Sequence, residues 1–157
     1  MIWLDNGYNS RTRGFEIVSE FIDKEINIPQ RNTKSSAGYD LEAAEDVLIF
    51  SGETVLIPTG LKAYMQSDEV LQVYVRSSIG VKKGLRLANQ VGIIDSDYYN
   101  NYGNEGLIFI PLYNSTLNPV SIKKGERIAQ GIFINYLLAD NDNAEGERIG
   151  GFGSTGK

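Results

Sequence analysis

Short runs rich in β-branched and aromatic residues recur along almost the whole chain, and they constrain the fold more than any other feature. They are Phe15 to Phe21, Val47 to Phe50, Thr54 to Ile57, Leu61 to Met65, Val70 to Val75, Val91 to Ile94, Leu107 to Tyr113 and Ile128 to Leu138. Turn signals separate them, among them Ser51-Gly52, Pro58-Thr59-Gly60, Asn118-Pro119 and Lys124-Gly125. Many short strands at this spacing predict an all-β sandwich or barrel. No window of about eleven or more residues carries helical periodicity. One short helix is expected, around Ser78 to Lys83.

With 157 residues, 41% of them hydrophobic, a single domain buries roughly 70% of its unfolded surface, enough for a packed core. No stretch approaches the roughly 20 apolar residues of a membrane span. Met1 to Arg13 lacks the basic-then-apolar order of a signal peptide. A chain without cysteine has no disulfide framework and suits a reducing, cytoplasmic setting.

Two runs, Leu107 to Ile110 and Ile132 to Leu138, are apolar on both faces where a half-solvated strand should alternate. Two readings stand open for them. Each is a central strand buried on both sides within one chain, or one face packs in the core and the other against another subunit.

The absence of both histidine and cysteine narrows the chemistry sharply. It excludes Ser-His-Asp and Cys-His nucleophilic catalysis and zinc sites built on His or Cys. Any catalysis must rest on carboxylates, Tyr, Lys, Arg, backbone donors and a hard metal such as magnesium. The formal charge of −5, without a long basic run, argues against a polynucleotide partner. A small anionic ligand stays open.

Several segments carry candidate chemistry. Arg76-Ser77-Ser78 follows a strand and opens the expected helix, where hydroxyls and free N–H groups suit an anion; Ser at such a position also serves as an ordinary cap. Asn89 to Tyr98 reads as a hairpin running into an acidic turn, and Asp95 or Asp97 taken singly fits local backbone satisfaction equally well. Ala37 to Leu41 reads as a turn into a strand, and Gly125 to Gln130 as a tight turn into a buried one. After Leu138 the chain turns acidic, then Gly-rich through Gly150 to Gly156. That stretch cannot build core and is expected to be mobile in isolation, yet glycine-freed backbone donors can wrap phosphates.

Taken together and in order, Ala37-Gly38-Tyr39-Asp40-Leu41, Arg76-Ser77-Ser78, Asn89 to Tyr98, Gly125 to Gln130 and Gly150 to Gly156 resemble the five motifs of the homotrimeric dUTPase family. The resemblance implies a compact distorted jelly-roll of the β-clip kind, with residues 1–138 as the β domain and 139–157 as an arm closing over an active site. It implies Mg2+-dependent hydrolysis of dUTP to dUMP and pyrophosphate, by in-line attack of water on the α-phosphorus.

Asp95 would be the general base. Tyr98 would pack beneath the sugar and leave no room for a 2′-hydroxyl. Asn89, with Gly92 and Ile94 of its hairpin, would read the uracil edge. Arg76, Ser77, Ser78 and Gln130 would hold the phosphates, and Asp40 would orient water on magnesium. Arg148, Ser154 and Thr155 would close on the γ-phosphate beside Gly153, with Phe152 stacked over the base. The family's sites lie between subunits, with the arm reaching a neighbour.

This sequence departs from the pattern in three places. Val75 stands where proline is common, the arm is one residue shorter between Arg148 and Phe152, and Tyr99 to Gly106 is longer than usual. Two other families of similar fold differ from this sequence at identifiable positions. The sister dCTP deaminases share the fold and an Arg-Ser-Ser segment, but a glutamate on which their deamination depends is replaced by Pro111. A non-catalytic regulator of the same fold would be expected to lose Asp95 or Tyr98, and both are present.

Overall fold

The computed structural model describes residues 11–151. Eleven strands, one α-helix and two 3-10 turns make it up. In order they are β1 (Gly14–Ile17), a 3-10 turn over Ser19–Phe21, β2 (Tyr39–Glu42), β3 (Val47–Ile49), β4 (Thr54–Pro58), β5 (Leu61–Tyr64), β6 (Glu69–Val75), α1 (Ser77–Lys83), β7 (Leu85–Leu87), β8 (Gly92–Asp95), a 3-10 turn over Ser96–Tyr98, β9 (Phe109–Asn114), β10 (Val120–Ile122) and β11 (Arg127–Asn135). Every pairing is antiparallel. One sheet runs β2-β11-β6-β8, a second β4-β9-β7, and the pairs β1-β5 and β10-β3 complete the set.

The sheets close on a common core because their inward residues are aliphatic at every second position. Leu41, Leu71 and Ile128 come from the four-stranded sheet, and Ile57, Ile110 and Leu112 from the three-stranded one. Ile49 and Ile122 come from the β10-β3 pair, and all eight are within 1% of full burial. Each such side chain contributes about 1.5–3 kcal/mol relative to exposure.

The two doubly apolar runs resolve differently. In the first, Ile108 and Ile110 enter the main core while Leu107 joins a satellite cluster with Val18, Phe21 and Ala44, against which Phe109 also packs. Both faces are therefore covered by the chain itself. In the second, Phe133 packs on Phe15 at 5.4 Å between ring centroids, but Leu137 is 95% and Leu138 68% exposed. Of the two runs, it is the second that leaves apolar surface uncovered.

The helix starts and ends where its sequence directs. Arg76 holds the extended N-cap conformation, and Lys82 and Lys83 sit in the last turn, where cations suit the helix dipole. Gly84 closes the helix at φ 65°, its N–H donating to the Ile79 carbonyl, a conformation that favours glycine. The expected strand Phe15 to Phe21 is shorter than read. It breaks at Val18, whose N–H bonds the Gly60 carbonyl while its own carbonyl accepts from Phe21 N–H. No helix among the described residues is long and apolar enough to cross a membrane.

Candidate active site

The singled-out residues are spread along β6, with Arg76 at one end, Asp95 opposite the other and Gly92 opposite Val73 between them. One group sits where β6 gives way to α1. Asp40 on β2 lies opposite Gln130 on β11, and Gln130 lies opposite Tyr74 on β6. Arg76 follows two residues later and its Nε meets Asp40 Oδ1 at 3.0 Å. Arg127 reaches the other carboxylate oxygen at 3.5 Å. Gly38 is required here, since a Cβ at that position would stand 2.3 Å from Gln130 Oε1. Ser77 is exposed and Ser78 half-buried in the first turn of α1. A groove of about 480 Å³ opens beside the group, lined by Gln30, Arg31, Asp40, Glu42 and Arg127 among others.

A second group sits at the start of β6. Asp95 ends β8 directly opposite Val70 and is exposed. The 3-10 turn that follows swings Tyr98 into the core, where it is 4% exposed. Its hydroxyl donates to the Leu107 carbonyl at 2.6 Å and accepts from Asn104 Nδ2 at 2.9 Å. Burial pushes the Tyr98 phenol above its ordinary value, against smaller opposing effects of Asn104 and the Arg148 charge. It therefore stays a proton donor. Asn89, Gly92 and Ile94 line a small cavity of about 40 Å³ with Val73, Leu87 and Pro111. Gln90 turns the hairpin at φ 64°.

Arg148 belongs to this second group. Its guanidinium spans Asp95 Oδ2 at 2.6 Å and Asp97 Oδ1 at 2.7 Å and lies 5.8 Å from the Tyr98 ring centroid. Gly151 follows so closely that a Cβ there would stand 2.7 Å from Tyr98 Cε2. The resemblance implies an arm reaching a neighbouring copy. In the single chain, Arg148 lies instead on the chain's own Asp95 and Asp97, and Gly151 against Tyr98. Phe152, Gly153, Ser154 and Thr155 lie outside the described residues.

Because Val70 and Arg76 are six residues apart on one extended strand, Asp95 and Arg76 are separated by roughly 20 Å. The register brings together Asp40, Arg76 and Gln130 at the end of β6 and sets Asp95, with Tyr98 and Arg148, at its start; Gly92, opposite Val73, and Asn89 before it lie toward the Arg76 end. It does not bring Asp95 to Arg76.

Among the described residues no three carboxylates converge to hold a metal. Asp40, already paired with two arginines, has the donor chemistry to meet a hard cation through water, with direct ligands supplied by a bound polyphosphate. That fits magnesium held chiefly by a nucleotide.

The sequence marks Tyr99 to Gly106 as longer than usual but assigns it no role, and the structure places it behind Tyr98. Asn101 is buried, and its Nδ2 donates to the Tyr98 carbonyl at 2.8 Å and to Asn104 Oδ1 at 2.8 Å. Lys62, also buried, donates to Asn100 Oδ1 at 2.6 Å and to Glu105 at 2.7 Å. The Lys62 bond holds the Glu105 carboxyl below its ordinary value, against a smaller effect of burial. The signal available in sequence was the density of Asn and Gly between Tyr99 and Gly106, which marks backbone that needs side-chain partners.

Comparison with known proteins gives a consistent answer. The family model described as dUTPase matches residues 24–156. A deoxyuridine 5′-triphosphate nucleotidohydrolase of Lactococcus lactis subsp. lactis (strain IL1403) is 57% identical over 148 residues, covering 93% of this chain and 99% of the relative. The crystal structure of dUTPase from Streptococcus mutans is 50% identical, with a TM-score of 0.78, covering 82% of this chain and 99% of that one. A mutant dUTPase from phage phi11 of S. aureus, described with a structural Mg(II) ion, aligns with a TM-score of 0.70 over 86% of this chain and 97% of its own. At 21% identity it bears on the fold alone. The expected all-β, jelly-roll-like fold is the fold observed.

Proposed function

Because the chain belongs to the dUTPase family and is a dUTP diphosphatase, yielding dUMP, we propose how its residues divide the work. Water attacks the α-phosphorus in line, Asp95 takes the proton, and pyrophosphate leaves. The exposed carboxylate at the end of β8 supports that role, since a general base must reach a solvent molecule. Tyr98 is the platform beneath the deoxyribose. Asn89, Gly92 and Ile94 frame the uracil edge, and a pocket whose polar groups match uracil leaves them unpaired with cytosine.

Asp40, Arg76, Ser77, Ser78 and Gln130 hold the phosphate chain, Gln130 near the α-phosphate and Asp40 toward water on the metal. Magnesium, when bound by the three phosphates, supplies the neutralising charge that phosphoryl transfer requires. Residues 139–157 form the closing arm: Arg148 exchanges Asp95 and Asp97 for the γ-phosphate, joined by Gly153, Ser154 and Thr155, while Phe152 stacks over the base.

One observation carries this reading furthest. Asp95 and the Arg76 phosphate-binding group stand at opposite ends of β6, about 20 Å apart, so one chain does not bring its own general base to its own phosphate-binding residues. A second copy supplies the missing partner, which supports a homotrimer with sites between subunits. The uncovered Leu137 and Leu138 supply apolar surface for such contacts. A cysteine-free chain suits the cytoplasm.

Pyrophosphate release measured over dUTP, dCTP, dTTP and UTP, with and without magnesium, tests the assignment. Only dUTP with magnesium is expected to turn over rapidly, by a margin of at least ~100-fold. Ammonia released from dCTP would point instead to the deaminase reaction, against the position of Pro111 in the base cavity.

A further inference from the structure

The segment between Tyr98 and Leu107 is built like a mount. Asn101 Oδ1 accepts the N–H groups of Gly103 at 2.9 Å and Asn104 at 3.1 Å. Asn104 Oδ1 accepts from Gly106 N–H at 3.0 Å and from Asn101. Asn100 and Glu105 hold positive φ, 57° and 63°, which non-glycine residues keep only where their surroundings over-determine it. The outer side of the segment is tied to the domain. Lys62 grips both of those residues, Ser19 Oγ donates to Glu105 at 2.9 Å and Tyr99 hydroxyl donates to Glu16 at 2.8 Å. Nothing in this network touches the carboxylate of Asp95. All of it converges on Tyr98, holding its backbone carbonyl through Asn101 and its hydroxyl through Asn104.

We propose that Asn104 is a positioning residue for sugar selection: by donating to the Tyr98 hydroxyl it fixes the ring at the height that admits deoxyribose and excludes ribose. This rests on the reading of Tyr98 as the sugar platform. The hydroxyl has one proton, which it gives to the Leu107 carbonyl, so its oxygen needs a donor on the other side, and Asn104 Nδ2 is that donor. Without it the ring keeps its backbone tether but loses half of its distal one. A ring tilted by a fraction of an ångström is enough to open space for one additional oxygen.

Asn104→Asp is the informative variant. It keeps an oxygen to accept from Gly106 and Asn101 but presents an acceptor where Tyr98 needs a donor. Tyr98→Phe removes that bond and the hydroxyl's donation to the Leu107 carbonyl with it. Pyrophosphate release from UTP and dUTP is measured for both, for the pair combined and for the unaltered chain, with melting temperatures alongside. The ratio of kcat/KM for UTP to that for dUTP is expected to rise about tenfold in Asn104→Asp, in keeping with one lost hydrogen bond. It should rise at least as much in Tyr98→Phe, which loses both bonds of the hydroxyl, and no further in the double variant than in Tyr98→Phe, because Asn104 acts through that hydroxyl. A ratio unchanged in either folded single variant overturns the proposal. So does a double variant in which the two effects multiply. Should Asn104→Asp not fold, the ratio in Asn104→Ser decides in its place, since Tyr98→Phe also loses the Leu107 bond. Turnover of dUTP by the unaltered chain tests the function itself, and the ratio tests Asn104.

Discussion

Replacing Asp95 with Asn is expected to lower turnover of dUTP by about 10³-fold or more, toward the upper end of what a general base contributes. The two side chains have the same shape, so nucleotide binding should survive, and titration calorimetry with a non-hydrolysable analogue would measure it. The fold should survive too. Asp95 is half exposed, and an ion pair that open to water adds little stability; Arg148 also keeps its bond to Asp97. A variant that binds and does not turn over isolates the proton-accepting step from recognition. Turnover near that of the unaltered chain would remove Asp95 from the mechanism.

Ending the chain after Glu147 is the second change with a large expected effect. It removes Arg148, the glycines at 150 and 151 and the segment beyond. Catalysis of phosphoryl transfer is mostly positioning and charge stabilisation, and on the proposed reading the arm would contribute to both. A loss of about 100-fold in kcat for dUTP is expected. The melting temperature should change little, because Ile149 is 78% exposed and the arm adds nothing to the core clusters among the described residues. Full activity in the shortened chain would reduce the arm to a tail.

Much of the fold was legible because strand signals are local. Val70 to Val75 was read almost to its true ends, since apolar alternation and the flanking turn and Arg-Ser pair bound it clearly. Leu85–Leu87 and Val120–Ile122 were not read, being three-residue strands with a polar residue at the centre of each, Arg86 and Ser121, whereas the equally short Val47–Ile49 is apolar throughout. Phe15 to Phe21 was read as one strand because an apolar run does not reveal that Val18 spends its N–H on Gly60. The candidate site was legible as residue types in order, and Asp40, Arg76 and Gln130 do meet. What local pattern does not contain is register. That Asp95 lies opposite Val70, and so far from Arg76, follows from sheet pairing alone. The Asn101–Asn104 network behind Tyr98 was hidden for a different reason, since asparagine in a turn usually serves nearby backbone and nothing local marks it as serving a side chain in the site.

The central claim is that each reaction site joins the Arg76 group of one copy to the Asp95 group of another, and subunit mixing tests it most directly. Chains carrying Arg76→Ala and chains carrying Asp95→Asn are each expected to be nearly inactive alone. Co-expressed in equal amounts and assorted at random, they should regain about a quarter of full activity, the fraction of sites that draws an intact residue from each donor in a symmetric oligomer. Mixed oligomers, verified by native mass spectrometry, that stay as inactive as their parents would contradict it.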